Sequence, residues 1–160
     1  MNHIIGIAEM KTSRSPGDVL ITYALGSCLG ITVHDPDAKV GGLLHVMLPS
    51  ASVNPEKAAA NPLMFVDTGV PELFKACYKL GAKKERMIVK VAGGASLQNP
   101  NATDQFQIGK RNFINLRKLL WKNNVLIQAC DVGENFSRTM SLEIATGRVV
   151  LKTNNCETVL

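Results

Sequence analysis

The chain has 160 residues, 46% of them hydrophobic, 19% charged and 5% aromatic, with 18 Lys and Arg against 13 Asp and Glu for a formal charge of +5. This length suits one domain, read as residues 1–160, and the apolar fraction suffices for a buried core, which excludes a disordered or fibrous chain. Four cysteines, Cys28, Cys77, Cys130 and Cys156, lie 49, 53 and 26 residues apart with no C-x-x-C pair or His/Cys cluster, so neither a disulfide scaffold nor a zinc finger is expected and no metal site is assigned.

Met1 to Lys11 shows no basic segment followed by an apolar stretch and a cleavage site, so no secretion signal is read there. The longest uncharged stretch, 19–33, is 15 residues long and holds Gly26 and Gly30, which suits two buried strands better than a membrane span. A cytoplasmic protein with reduced thiols and no membrane insertion is expected.

In chain order, 19–24 reads as a strand, Gly26-Ser27-Cys28 as a turn, and 29–34 as a second strand, closed by the turn-forming Asp35-Pro36-Asp37. Residues 40–48 read as a third strand in which Gly41-Gly42 marks a bulge or a close backbone approach. Apolar residues from 63 to 80 recur at helical spacing, with Pro71 starting or kinking the helix and Gly81 at its C-terminal cap. Residues 87–92 form the next strand, running into Gly93-Gly94-Ala95, and the polar stretch 96–107 reads as a long mobile loop at the rim. An amphipathic helix over 108–122, a strand over 125–131 and a hairpin over 139–152 around Thr146-Gly147 complete the chain. About seven strands with two or three helices, the first three strands arriving without an intervening helix, predict a single α+β layered domain whose mixed sheet is largely antiparallel.

Chemistry concentrates at Cys28. A lone intracellular cysteine is most often a small buried hydrophobe, but here Gly26 and Gly30 flank it at a strand-turn junction, where backbone can approach a substrate carbonyl and amides from Gly26 through Ser27 to Cys28 can meet an oxyanion. The G-x-C-x-G spacing is not the α/β-hydrolase elbow, because strand, not helix, follows. His45 lies in an apolar strand and must satisfy two ring nitrogens, in the core or beside a cleft. If the first and third strands adjoin, His45 reaches Cys28 and supplies the base that a thiol, mostly protonated at neutral pH, requires. Thr22 carries a hydroxyl that can orient such an imidazole. His34 reads as a solvated turn residue and His3 as a terminal one. Cys77 and Cys130 read as core, and Cys156 as a free thiol in a polar tail. With eight aromatics and none between the lysines, nucleic-acid stacking has little support; the charge fits an acidic protein partner better.

Leu25-Gly26-Ser27-Cys28-Leu29-Gly30, Gly41-Gly42-Leu43-Leu44-His45-Val46-Met47-Leu48-Pro49, Gly93-Gly94-Ala95, Ile108-Gly109-Lys110-Arg111-Asn112 and Asp131-Val132-Gly133 stand in one order along nearly the whole chain. With Thr22, they strongly resemble the CheD family of chemoreceptor glutamine deamidases. The resemblance implies that Cys28 is the nucleophile, His45 the general base and acid, and Thr22 the residue orienting His45, with no cofactor. It also implies a fold similar to toxin-type cysteine deamidases, and substrate glutamines on the cytoplasmic helices of chemoreceptors converted to glutamates. Receptor methyl-ester hydrolysis, credited to some members, and complex formation with CheC-type phosphatases are implied as well, so that service as a non-catalytic activator of such a phosphatase is the alternative role. Glu134-Asn135-Phe136-Ser137-Arg138 departs from the second glycine and later Gly-Arg usual after the Asp-Val-Gly segment.

Overall fold

A computed structural model describes residues 1–96 and 107–160. Ten strands, β1 (Asn2–Ile4), β2 (Glu9–Ser13), β3 (Val19–Leu25), β4 (Leu29–Asp35), β5 (Val40–Val46), β6 (Ile88–Gly93), β7 (Ile127–Val132), β8 (Arg138–Glu143), β9 (Val149–Thr153) and β10 (Cys156–Val159), form two five-stranded sheets. Three helices, α1 (Pro55–Ala60), α2 (Val66–Lys79) and α3 (Ile108–Lys122), accompany them. The first sheet has the order β1-β3-β8-β9-β10 and the second β2-β5-β4-β6-β7. Each is antiparallel except for one parallel pair, β1 with β3 and β6 with β7. The α+β class read from the sequence is therefore borne out.

The layers follow from where apolar side chains can go. Strands β4 and β5 form the middle of the second sheet and are buried at every residue, as their near-continuous apolar runs require of strands covered on both faces. Leu29, Ile31, Val33, Leu44 and Val46 pack outward against Val70, Leu73 and Cys77 of α2 and Leu116 and Leu120 of α3. On the opposite face Leu43 and Ala92 meet Leu20, Leu25, Met140, Leu142 and Leu151 of the first sheet. Gly41 and Gly42 make no bulge, since β5 pairs in unbroken register with β2 and β4. They serve close approach: a Cβ on Gly41 would meet Ile144 and Leu142 of the first sheet, and one on Gly42 would meet Leu73 of α2.

Several readings need correction. Strands 19–25 and 40–46 do not adjoin; they belong to different sheets and face each other, because the turn after β3 carries the chain from one sheet to the other. Pro71 sits inside α2. His34 is buried, with Nε2 2.8 Å from the Ile144 carbonyl and its ring against Gly147, because β4 runs beneath the β8–β9 turn. Cys130 is exposed, its β7 lying at the sheet edge. Cys77 is core, and burial pushes its thiol up to about 12. Most of the loop expected over 96–107 falls outside the described residues.

Candidate functional site

Thr22 and His45 meet where the two sheets face each other. β3 carries Thr22 inward beside Leu20, and a register irregularity between Thr22 and Leu25, with Ala24 in the left-handed region at φ 57°, lets Leu25 point inward as well. β5 carries His45 on the same inward face as Leu43, two residues away. Thr22 Oγ1 lies 2.7 Å from His45 Nδ1 and 2.7 Å from the Ile5 carbonyl oxygen. Both residues are buried.

Those two distances decide the imidazole tautomer. A carbonyl can only accept, so the single hydroxyl proton of Thr22 goes to Ile5, and Thr22 Oγ1 must accept from Nδ1–H. Nε2 is then the unprotonated nitrogen, and among the described residues this buried atom has no hydrogen-bond partner. Burial holds the imidazole pKa down at about 4, so the ring is neutral at physiological pH with a lone pair ready to take a proton. The segment between β1 and β2 closes this corner, Ala8 N–H donating to the His45 carbonyl at 2.8 Å.

Cys28 is half-buried at the end of the turn that enters β4, and its side chain packs against the inter-sheet core. In β4, Gly30 is paired directly opposite His45, so Cys28, two residues before Gly30, shares the inward face with His45 across a diagonal of about 7 Å between backbones. The thiol and Nε2 are not hydrogen-bonded to each other. Catalytic contacts of this kind commonly tighten only when substrate is seated. Burial raises the thiol pKa, partly opposed by the residue's own N–H, directed at the sulfur. Thiol and imidazole therefore rest as a neutral pair.

The turn bearing Cys28 is held from outside. Gly94 N–H donates to the Cys28 carbonyl at 2.9 Å and Ala95 N–H to the Gly26 carbonyl at 2.8 Å. Gly93 adopts φ 113°, and a Cβ there would run into the Cys28 carbonyl oxygen, so the approach requires glycine. Gly26 N–H donates to the Ala24 carbonyl within the turn, and the Ser27 carbonyl accepts from Asn112 Nδ2 of α3 at 2.9 Å. Of the amides of Gly26, Ser27 and Cys28, expected as oxyanion donors, that of Gly26 is engaged within the turn. Beneath the Gly93 segment Arg138 is fully buried, donating through Nη1 to the Gly93 and Gly133 carbonyls at 3.2 and 3.1 Å and through Nη2 to Asp131 at 3.0 Å. The Ile5 carbonyl, Asn112 and Arg138 escaped sequence reasoning. The first is backbone, and the other two act across strands far apart in the chain. Asn112 stands in the Ile108-Gly109-Lys110-Arg111-Asn112 segment that carries the resemblance, but nothing local marks its side chain as a brace. Among the described residues no cluster of His, Cys, Asp and Glu is arranged to hold a metal.

The layered α+β frame brings a cysteine, a tautomer-fixed histidine and a threonine to its inter-sheet corner, the residue types on which a cysteine-dependent acyl transfer draws. Residues 47–153 match the family model described as CheD chemotactic sensory transduction. Curated relatives extend the similarity over the site itself: a probable chemoreceptor glutamine deamidase CheD 1 of Syntrophus aciditrophicus is 54% identical over 151 residues, 94% of this chain and 93% of that protein. A probable chemoreceptor glutamine deamidase CheD of Solibacter usitatus is 46% identical over 94% of this chain and 88% of its own length, and that of Syntrophotalea carbinolica 45% over 91% and 90%. The chain belongs to the CheD family.

Proposed function

We propose that this chain deamidates glutamines on chemoreceptors, using Cys28 as nucleophile, His45 as general base and acid, and Thr22 to hold His45. The relatives' names supply the substrate class, and the observation that carries the residue roles is the Thr22–His45 bond, which leaves Nε2 a buried acceptor with no partner among the described residues. Such an atom costs about 1–3 kcal/mol if nothing ever donates to it. The half-buried thiol on the same sheet face is the donor this site offers.

In the reaction, His45 Nε2 takes the Cys28 proton as sulfur bonds to the carboxamide carbon and the oxygen becomes an oxyanion. Collapse breaks the C–N bond, and the imidazolium returns that proton to the departing ammonia. Water then attacks the thioester while His45 takes one of its protons. The second collapse breaks the C–S bond, the thiolate recovers the proton, and glutamate is released. Positioned proton transfer of this kind contributes about 10²- to 10⁴-fold. The neutral resting pair means that the thiolate forms as attack proceeds.

The test is a receptor fragment incubated in water enriched in ¹⁸O. The wild-type chain should convert specific glutamines to glutamates carrying one solvent oxygen, and Cys28→Ala should convert none. Conversion by Cys28→Ala at the wild-type rate would remove the nucleophile assignment. The same thioester route accepts a receptor methyl ester, with methanol leaving in place of ammonia, so methylated fragments belong in the assay. With cytoplasmic helices of chemoreceptors as substrate, this reading has the chain act in the cytoplasm; among the described residues no helix is long and apolar enough to cross a membrane. A CheC-type phosphatase is the further partner in this reading, and its binding should survive Cys28→Ala.

A further inference from the structure

Asn112 occupies the second turn of α3, fully buried, with no function yet assigned to it. Its Nδ2 donates to two backbone carbonyls, Ser27 at 2.9 Å and Met47 at 3.1 Å. The first belongs to the residue before Cys28 and the second lies two residues beyond His45. Two carbonyls can be served only by the amide nitrogen, so the side chain's orientation is fixed and its Oδ1 is left buried without a partner among the described residues. The helix cannot retreat from this contact easily, because Gly109, one turn earlier, rests on the carbonyls of Gly94 and Ala95, which are themselves bonded into the Cys28 turn.

The direction of the Ser27 carbonyl has a chemical consequence. α3 packs on the outer, helix-covered face of the second sheet, so a carbonyl bonded to Asn112 points outward. In a trans peptide the C=O and the following N–H point in opposite directions, and no peptide bond among the described residues is cis. The Cys28 N–H is therefore turned away from α3, and it is directed at the Cys28 sulfur. That is where the oxygen of a carbonyl attacked by this sulfur would develop charge, and a donor held there before reaction is worth more than one that must reorganise.

Resting on the reading of Cys28 as nucleophile, we propose that Asn112 is a positioning residue for the oxyanion site: by clamping the Ser27 carbonyl outward and tying it to the end of β5, it holds the Cys28 N–H as the oxyanion donor beside the sulfur. Asn112 itself touches no substrate. Its unpaired Oδ1 is the cost of committing the amide to two carbonyls.

Asn112→Leu keeps the branched shape and the number of heavy atoms and removes both donated hydrogen bonds. The expected result is a fall of about 10²- to 10³-fold in kcat for glutamine conversion with KM within a few-fold of wild type, the loss that removing one oxyanion donor produces. Alkylation of Cys28 by iodoacetamide generates no oxyanion, so its rate should stay within a few-fold. Deamidation that persists near the wild-type rate, or alkylation that falls in step with it, overturns the proposal. Should Asn112→Leu fail to fold, the wild-type chain still tests the idea. A peptide bearing an aldehyde in place of the glutamine carboxamide adds the Cys28 sulfur to its carbonyl carbon, the thiol proton passing to the oxygen. The Cys28 amide proton should then move strongly downfield in NMR spectra, and an unmoved amide refutes it. Cys28→Ala, assayed alongside, separates the two levels: if it still deamidates, the nucleophile reading falls and takes this inference with it. If it is inactive while Asn112→Leu is fully active, only the role of Asn112 is lost.

Discussion

Thr22 shows how one side chain sets the chemistry of another. Its hydroxyl proton is committed to Ile5, so it can only accept from His45, and that requirement removes the proton from Nε2. Thr22→Val keeps the β-branched shape while deleting this acceptor; kcat should fall about 10- to 10²-fold, within the contribution of positioned acid-base catalysis, and Thr22→Ser should restore most of it. A steady-state comparison of the three chains decides the matter. The pH dependence follows from the same residue. Because burial holds His45 at about 4 rather than 6.5, it remains an unprotonated base through mildly acidic pH, and the acid limb of kcat/KM should descend toward pH 4. An acid limb centred near 6.5 would mean that the imidazole is solvated in the working enzyme. The raised Cys28 thiol gives a complementary expectation, slow alkylation at neutral pH that accelerates in alkali.

Among the elements, the connection from β3 to β4 does more than its sequence suggests. Read locally, Gly26-Ser27-Cys28 joins two strands. In the fold it joins two sheets, and for that reason Thr22 faces His45 across the interior instead of lying beside it. The segment after β7 has a comparable hidden role. Its departure from the family pattern, Glu134-Asn135-Phe136-Ser137-Arg138, ends in a buried arginine that ties Gly93 and Gly133 together and stacks on Phe136 with the guanidinium 4.6 Å from the ring centre. Arg138→Leu leaves two carbonyls and Asp131 without their donor. It should cost about 3 kcal/mol and lower Tm by about 10 °C for a chain of this size, measured by thermal unfolding followed by circular dichroism. Activity should fall further than stability explains, since Gly93 and Gly94 support the Cys28 turn. In α3 the polarity is divided as the spacing predicts: Leu116 and Leu120 are buried, while Lys110, Arg111, Arg117, Lys118 and Lys122 are exposed.

For the whole molecule, two buried titratable groups govern acid sensitivity. Asp35 has no exposed side-chain surface. Burial opposes its ionisation, but the Arg86 guanidinium at 2.9–3.0 Å and the amides of Lys83, Ala38 and Asp37 outweigh it and hold the carboxyl at about 2. Its stabilisation is complete above the ordinary carboxylate range and lost as pH falls toward 2. His45 acts earlier: between pH 6.5 and about 4 the unfolded chain binds a proton that the folded chain refuses, so stability declines over that interval. Urea unfolding between pH 7 and 3 should show two successive losses, and His45→Gln should abolish the first. If that variant retains the full decline above pH 4, another group is responsible.

The sequence by itself placed the buried strands, read at 29–34 and 40–48 against 29–35 and 40–46 in the fold, determined the bounds of α3 and the α+β class, and singled out Thr22, Cys28 and His45, because hydrophobic periodicity, turn-forming residues and motif spacing are local properties of a chain. It understated β1, β2 and β10, which are short, polar or at sheet edges and gain their pairing only from a neighbouring strand. It also misplaced His34 and Cys130, whose burial depends on what packs above them. Only the tertiary structure decided that Thr22 and His45 come from opposed sheets, that the Ile5 carbonyl sets the tautomer, and that Asn112 and Arg138 brace the cysteine turn. These are contacts between residues from 17 to 85 positions apart, and their formation depends on how two sheets and a helix layer stack.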